Sequence, residues 1–267
     1  MTAIALTIAG SDSSGGAGIQ ADLKTFTALG VYGASAITAI TAQNTQGVQS
    51  VLTLPPDIIA AQMTSIASDL AVGAIKTGML GDRITVETVA GGLRQFANVP
   101  LVVDPVMVAT SGDVLLAPDA IDAVRTRLFP LADIVTPNLR EAARLLETSV
   151  AASLDEMEGQ GRRLLALGAK AVLIKGGHGD GPEAIDILVF EAGSLRFSAP
   201  RIATQNTHGT GCTLAAAIAA RLSLGDSIAD AVNTAKRFVW QAIDGGRALE
   251  IGRGNGPVDH LFQFRKT

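Results

Sequence analysis

The chain has 267 residues, of which 48% are hydrophobic and only 17% charged, with a net charge of −4 and one cysteine. That balance excludes a disordered or fibrous chain and an intrachain disulfide, and with no run of lysine or arginine it argues against nucleic acid or a membrane surface as partner. No apolar stretch reaches the roughly 18 residues that span a bilayer, and the apolar start lacks the basic region of a signal peptide. The expectation is therefore a single cytoplasmic α/β domain over residues 1–267 that acts on small molecules.

Short apolar runs alternate with longer segments of helical period, which is the pattern of repeated βαβ units around a mostly parallel sheet. A strand is predicted at 4–9, a helix at 19–29 with Ile19, Leu23 and Phe26 on one face, and a strand at 34–42. A helix at 56–70 opens on proline, followed by a strand at 74–77 and a helix at 83–96. Next come a strand at 101–104, a helix at 118–128, a strand at 134–136, a helix at 141–146, and a helix at 154–167 that stops at Gly168. After a strand at 171–175 the rhythm changes: 185–190 and 194–199, joined through Ala192 and Gly193, read as a β-hairpin. Two helices end the pattern, one with Leu214, Ala217, Ile218 and Leu222 on one face and one at 228–243. Residues 178–182 and 252–257 read as flexible loops.

The segment NTHGTGCTLAAAIAA from Asn206 is the most informative stretch for chemistry. Gly209 and Gly211 flank Thr210, so the backbone can turn sharply and approach a ligand with no Cβ in the way. The helix that follows points unpaired amides and the positive end of its dipole outward, which suits a phosphate or an anionic transition state. Cys212 sits among those amides, a position that lowers a thiol toward the thiolate, although an unpaired cysteine is more often an inert small hydrophobe.

Ligands of open α/β sheets bind beyond the carboxyl ends of the strands, and the unusual polar residues fall there. Asp104 ends LVVDP, Asn138 follows IVTP, and Lys175 ends AVLIK. These types fit phosphoryl transfer: Asp104 and Glu141 to hold Mg²⁺ directly or through its waters, Lys175 as a cation for nucleotide phosphates, and the turn Gly209–Thr210–Gly211–Cys212 facing the γ-phosphate, with Cys212 as proton acceptor or near neighbour. The loop GSDSSGGAG after the first strand matches neither GxxxxGKS/T nor GxGxxG, and reads as a closure over a substrate.

The segments GSDSSGGAGIQADLKT, TAQNTQGV, IKTGML, VDPVMVATSGD, TPNLREA, IKGGH and NTHGTGCT occur in order along almost the whole chain. Together they resemble the hydroxymethylpyrimidine/phosphomethylpyrimidine kinases of thiamine biosynthesis, within the ribokinase superfamily. The resemblance implies a ribokinase-like three-layer α/β/α sandwich, with a hairpin before the anion-hole motif. It also implies ATP- and Mg²⁺-dependent phosphorylation of 4-amino-5-hydroxymethyl-2-methylpyrimidine, then of its monophosphate, by a homodimer. Its pyrimidine contacts fall on Gln43 and Asp22, with Gly10, Ala17, Met79 and Val106 lining the pocket, while the residues' own positions make Lys175, Asn138, His208 and Thr210 the candidate nucleotide contacts.

The amide of Gln43 offers one acceptor and two donors to the edge of an aminopyrimidine. Asp22, inside a helix, would ordinarily be a solvated acid, and here is expected to accept from the substrate. His208 stands before the hole, either on phosphate or packed on the turn, while His178 lies in the KGGH loop near the nucleotide. Three histidines and one cysteine argue against a zinc site. Many sugar and nucleoside kinases of the superfamily have aspartate where this chain has Cys212, which leaves the identity of the base open. The competing readings are a pyridoxal kinase, against which the polar Gln43 argues, and a non-catalytic nucleotide-binding module.

Overall fold

The strands of the computed structural model, which describes residues 2–109, 112–177 and 181–265, are β1 (Ile4–Asp12), β2 (Tyr32–Asn44), β3 (Gly47–Thr53), β4 (Ala74–Thr77), β5 (Leu101–Val103), β6 (Ile134–Val135), β7 (Ala171–Ile174), β8 (Glu183–Phe190) and β9 (Gly193–Pro200). The helices are α1 (Gly18–Ala28), α2 (Pro56–Ala67), α3 (Arg83–Gly92), α4 (Pro118–Ala123), α5 (Leu139–Leu145), α6 (Leu154–Leu165), α7 (Thr210–Ser223) and α8 (Ile228–Gly246). One sheet joins the strands in the order β3-β2-β1-β4-β5-β6-β7-β8-β9. Its six central strands, β2-β1-β4-β5-β6-β7, run parallel, and the antiparallel strands are confined to the two margins.

Alternation of side chains across the strands divides the core in two, as the pleat requires. Leu6, Ile8, Ile75, Leu101, Val103, Val172 and Ile174 face α2 to α6, whereas Ala5, Ala74, Val102, Ile134, Ala171 and Leu173 face α1, α7 and α8. The second face is lined by small residues because α7, an alanine-rich helix with Ala215, Ala216, Ala217, Ala219 and Ala220 all buried, lies close upon it. The result is the three-layer α/β/α sandwich expected from the sequence.

The differences are local. β1 runs on to Asp12, past the expected end at residue 9, and β3 lies where no element was read. β3 is an edge strand with most residues exposed, so it lacks the burial alternation that marks a strand in a sequence. The helix expected at 83–96 ends at Gly92 and finishes as a 3₁₀ turn, and the one at 118–128 widens into a π turn at Val124–Leu128. The segment 252–257, expected to be flexible, is pinned: Arg253 N and Gly254 N donate to Thr45 Oγ1 (3.2 and 3.1 Å), Asn255 N to Thr45 O (2.9 Å), and Gly256 O accepts from His208 N (3.0 Å).

Leu164 is fully buried between α6 and the sheet. Leu164→Ala is expected to cost about 2–5 kcal/mol, read as a lower denaturant midpoint with an unchanged m-value.

Candidate active site

The carboxyl ends of β1, β4, β5, β6 and β7 converge on the amino terminus of α7. Gly209, the residue before that helix, has φ +80°, and a Cβ there would collide with the carbonyl of Gly16. Gly16 in turn has no room for a side chain against His208 and Pro257. The loop after β1 and the turn before α7 therefore touch backbone to backbone, a contact only glycine allows.

Asp12 locks this junction. Its carboxylate accepts from Ser14 N (2.8 Å), Ser14 Oγ (2.8 Å), Gly16 N (3.2 Å) and Ala17 N (2.8 Å), and lies 2.8 Å from His208 Nε2. Burial would raise its pKa, but the hydrogen bonds from His208, Ser14 and Ala17 outweigh that and hold the carboxyl below the usual carboxylate range. His208, buried at the back of the turn, thus tethers two loops. The expectation of a phosphate contact gives way to the packed alternative. Asp12 was not singled out in the sequence, although Asp-Ser-Ser-Gly-Gly is the signature of a turn in which aspartate bonds its own following amides.

Within the turn, Thr210 N donates to Thr207 O (3.2 Å), and so does Thr210 Oγ1 (2.6 Å). Thr210, expected to meet phosphate, closes the turn. Two amides of the first helical turn, Gly211 and Cys212, remain for an anion. A Cβ on Gly211 would stand 3.3 Å from Lys175 Nζ and 4.0 Å from Asp104 Oδ2, so the hole opens directly beside those groups.

Lys175 Nζ donates to Asp104 Oδ1 (2.8 Å) and lies 4.0 Å from Glu141 Oε2. Burial alone would lower the lysine's pKa, but the two carboxylates outweigh it and keep the ammonium charged. Thr136 Oγ1 also donates to Asp104 Oδ1, at 3.2 Å. Glu141 is pushed up to about 7 chiefly by burial, with Lys175 opposing and Asp104 adding to the rise. Asn138 and Glu141 form a capping box on α5: Asn138 Oδ1 accepts from Glu141 N (2.9 Å) and Arg140 N (3.0 Å), and Glu141 Oε2 from Asn138 N (2.7 Å). The side-chain oxygen of Asn138, expected to serve the nucleotide, is thereby committed to the helix. Behind this cluster Asp186, also missed, accepts from Gly176 N (2.9 Å) and Lys236 Nζ (2.7 Å), fixing the backbone that carries Lys175.

Cys212 is half-buried and does not follow the expectation of a thiolate. Burial pushes its thiol up to about 11, with the Lys76 cation and the Gly18 N–H acting against the rise and Asp22 and Asp104 adding to it. The helix end was legible in the sequence, but the burial that overrides it was not.

Of the expected pyrimidine contacts, Gly10 and Met79 meet: a Cβ on Gly10 would lie 3.1 Å from Met79 Sδ. Ala17 Cα is 3.3 Å from the Cβ position of Gly209, and Val106 stands two residues after Asp104. Gln43 joins the loop after β1 through Ser13, whose Oγ donates to Gln43 O and accepts from Gln43 N (2.8 Å each). Asp22 differs from the expectation. It is fully buried, with Lys76 Nζ on both oxygens (3.0 and 2.8 Å) and Thr7 Oγ1 on one (2.6 Å), so it is neither solvated nor open to a ligand here. His178 lies outside the described residues.

Amides at a helix end, set beside a lysine and two carboxylates on this sheet, place the chain among the ribokinase-like small-molecule kinases. The family model described as phosphomethylpyrimidine kinase matches residues 12–259. A relative from Rhizobium meliloti (strain 1021), named hydroxymethylpyrimidine/phosphomethylpyrimidine kinase, is 56% identical over 267 residues, 100% of both chains. One of the same name from Escherichia coli (strain K12) is 53% identical over 97% of this chain and 98% of its own. Among solved structures, the ADP complex of Bacillus subtilis pyridoxal kinase has a TM-score of 0.91 at 37% identity, covering 100% of both chains. The phosphomethylpyrimidine kinase of Clostridium difficile 630 has a TM-score of 0.80 at 45% identity, covering 90% of this chain and 99% of its own. The chain belongs to the phosphomethylpyrimidine kinase family, and is a kinase.

His260 supports the turn from below, its Nε2 lying 2.9 Å from Thr213 Oγ1. Because the Thr213 hydroxyl proton goes to Gly209 O (2.8 Å), a neutral His260 donates from Nε2. Burial pushes this histidine down to about 4, so the unfolded chain binds its proton first as pH falls. The contribution of His260 to stability is expected to fall between pH 6.5 and 4 by up to about 3 kcal/mol, opposite in sign to that of the raised Glu141. The check is therefore the difference between wild type and His260→Gln in urea titrations at each pH, which should shrink as the pH falls.

Proposed function

We propose that the chain transfers the γ-phosphoryl group of ATP to the hydroxymethyl oxygen of 4-amino-5-hydroxymethyl-2-methylpyrimidine. A second transfer, to the resulting monophosphate, gives the diphosphate used in thiamine biosynthesis. The observation that supports this reading is the pair of amides on Gly211 and Cys212 opening beside Lys175 and Asp104, with Gly10, Ala17, Met79 and Val106 as the residues that would line the pyrimidine pocket. The amides receive charge that grows on the transferred group, and Lys175 neutralises nucleotide phosphate as a point charge. Gln43 presents its amide to the ring nitrogen and exocyclic amine of the pyrimidine.

Two buried carboxylates with only oxygen donors suit a hydrated Mg²⁺, which needs few protein ligands. Asp104 and Glu141 would hold it through its waters, since Glu141 Oε2 is already bonded to the Asn138 amide. The ion would supply charge neutralisation at the phosphates. With its thiol raised to about 11, Cys212 is protonated at neutral pH, so a strong base does not stand ready. A loose transition state asks little of a base early, and the alcohol's proton leaves late, when the acceptor oxygen has become acidic.

The homodimer implied by the resemblance also belongs to this proposal. The margin formed by β2 and β3 exposes Ile40 (48%), Val51 (44%) and Leu52 (63%), apolar surface that a second copy would cover.

Three outcomes are expected with purified protein. The hydroxymethylpyrimidine is phosphorylated in preference to pyridoxal under Mg·ATP, and a preference for pyridoxal would overturn the substrate assignment. Cys212→Ala lowers kcat by about 10- to 100-fold while leaving the ATP KM within a factor of about two, because contacts made only in the transition state act on kcat. Unchanged kcat would remove Cys212 from the proton path. Gly211→Val blocks the hole and abolishes turnover in a folded protein, judged by circular dichroism beside the rate assay.

A further inference from the structure

Asp186 is a buried carboxylate in β8, on the sheet face where its neighbour Leu188 belongs to the apolar core under α1, α7 and α8. One oxygen accepts from Gly176 N (2.9 Å) and the other from Lys236 Nζ (2.7 Å), a largely buried lysine of α8. A buried ion pair is a poor stabiliser, because desolvating both charges consumes most of their attraction, and apolar residues of similar volume usually serve stability as well or better. An apolar residue at 186 would continue the face that Leu188 begins. The pair therefore calls for a role other than holding β8 to α8.

The peptide that Asp186 holds supplies one. Antiparallel pairing of β7 with β8 ends at Ile174 and Ile187, so the buried amide of Gly176 has no partner in the ladder, and the carboxylate takes it. Gly176 also lies against β8, since a Cβ there would collide with Ile185 O. On the other side, Lys175 N donates to Pro137 O (2.9 Å), in a parallel bridge between Lys175 and Asn138. The two peptide groups that flank the Lys175 Cα are thus fixed from opposite sides, one beyond β6 and one on β8.

Lysine carries its charge on a flexible four-carbon stem, so the reach of the ammonium depends on where the backbone is held. Lys175 Nζ stands 2.8 Å from Asp104 Oδ1 and 3.3 Å from the Cβ position of Gly211, at the mouth of the anion hole. Misplacing a group by about 1 Å at such a site can cost about 100-fold in rate.

We propose that Asp186, neutralised by Lys236, is a positioning residue for Lys175: it fixes the Gly176 peptide so that the ammonium meets nucleotide phosphate beside the anion hole. For its effect on turnover this rests on the reading of Lys175 as a nucleotide contact, whereas its effect on the Gly176 amide does not.

The test uses the whole chain with two neutral replacements of the pair. Asp186→Leu/Lys236→Met removes the acceptor of Gly176 N without leaving a lone buried charge, and Asp186→Asn/Lys236→Gln keeps a side-chain oxygen in its place. In the Leu/Met variant the Gly176 amide, followed by NMR, is expected to exchange with solvent about tenfold faster. Its kcat/KM for ATP falls about tenfold, while the KM for the hydroxymethylpyrimidine stays within a factor of about two. In the Asn/Gln variant both quantities return to within about threefold of wild type. A general loosening of the fold would instead move both substrates.

Placed on Lys175→Met, the Leu/Met pair should lower kcat/KM no further, because a group that acts through Lys175 has nothing left to position. An unchanged Gly176 amide, wild-type kcat/KM in the Leu/Met variant, or an undiminished loss on the Lys175→Met background overturns the proposal. Should the Leu/Met variant not fold, Gly176→Ala displaces the same peptide with every charge in place, and wild-type rates there overturn it equally. Wild-type kcat/KM in Lys175→Met alone overturns the nucleotide reading of Lys175 and the turnover half with it, while faster exchange of the Gly176 amide still supports the anchoring.

Discussion

The contact on which the site depends is the meeting of two glycine backbones, Gly16 in the loop after β1 and Gly209 before α7, held by the pairing of Asp12 with His208. The loop that starts α1 carries Ala17 and Gly18, which would form one wall of the proposed pyrimidine pocket, while the turn before α7 would form the proposed anion hole. Had either glycine a side chain, the two could not share one cleft, and the acceptor hydroxyl would stand at a distance from the phosphoryl group. Transfer between two bound molecules rests on positioning of this kind more than on any single acid or base.

Charge is arranged in two tiers around this junction. Lys175, Asp104 and Glu141 sit at the mouth, where a nucleotide and a hydrated metal would exchange with their mutual pairing. Lys76, Asp22 and Thr7 sit behind, sealed from solvent and unable to exchange with anything. A site that handles polyphosphate must accept large swings of negative charge at its mouth. A sealed pair behind it keeps the electrostatic background constant while those swings occur.

The layers, the parallel sheet and the place of the hairpin were legible in the sequence because burial on both faces of a sheet leaves short apolar runs, and helices leave a 3.6-residue period. β3 was not legible, since an exposed margin strand has neither mark. The strand-end residues Asp104 and Lys175 were legible from their positions alone, and the structure joins them at 2.8 Å. What escaped was whatever depends on pairing across the chain: Asp12 with His208, Lys76 with Asp22, Asp186 with Lys236. The same blindness explains the error over Cys212. A helix end is visible in fifteen letters, but the burial that overrides it exists only in the folded chain.

The docking of the 252–257 segment on Thr45 bears on how the molecule comes into being. Thr45 follows Gln43 in the turn between β2 and β3, and its partners Arg253 and Gly254 lie 208 and 209 positions later. Asp12 likewise waits 196 positions for His208. Both contacts thus wait for residues from the last quarter of the chain. Closing loops of such length adds the entropic cost that slows folding.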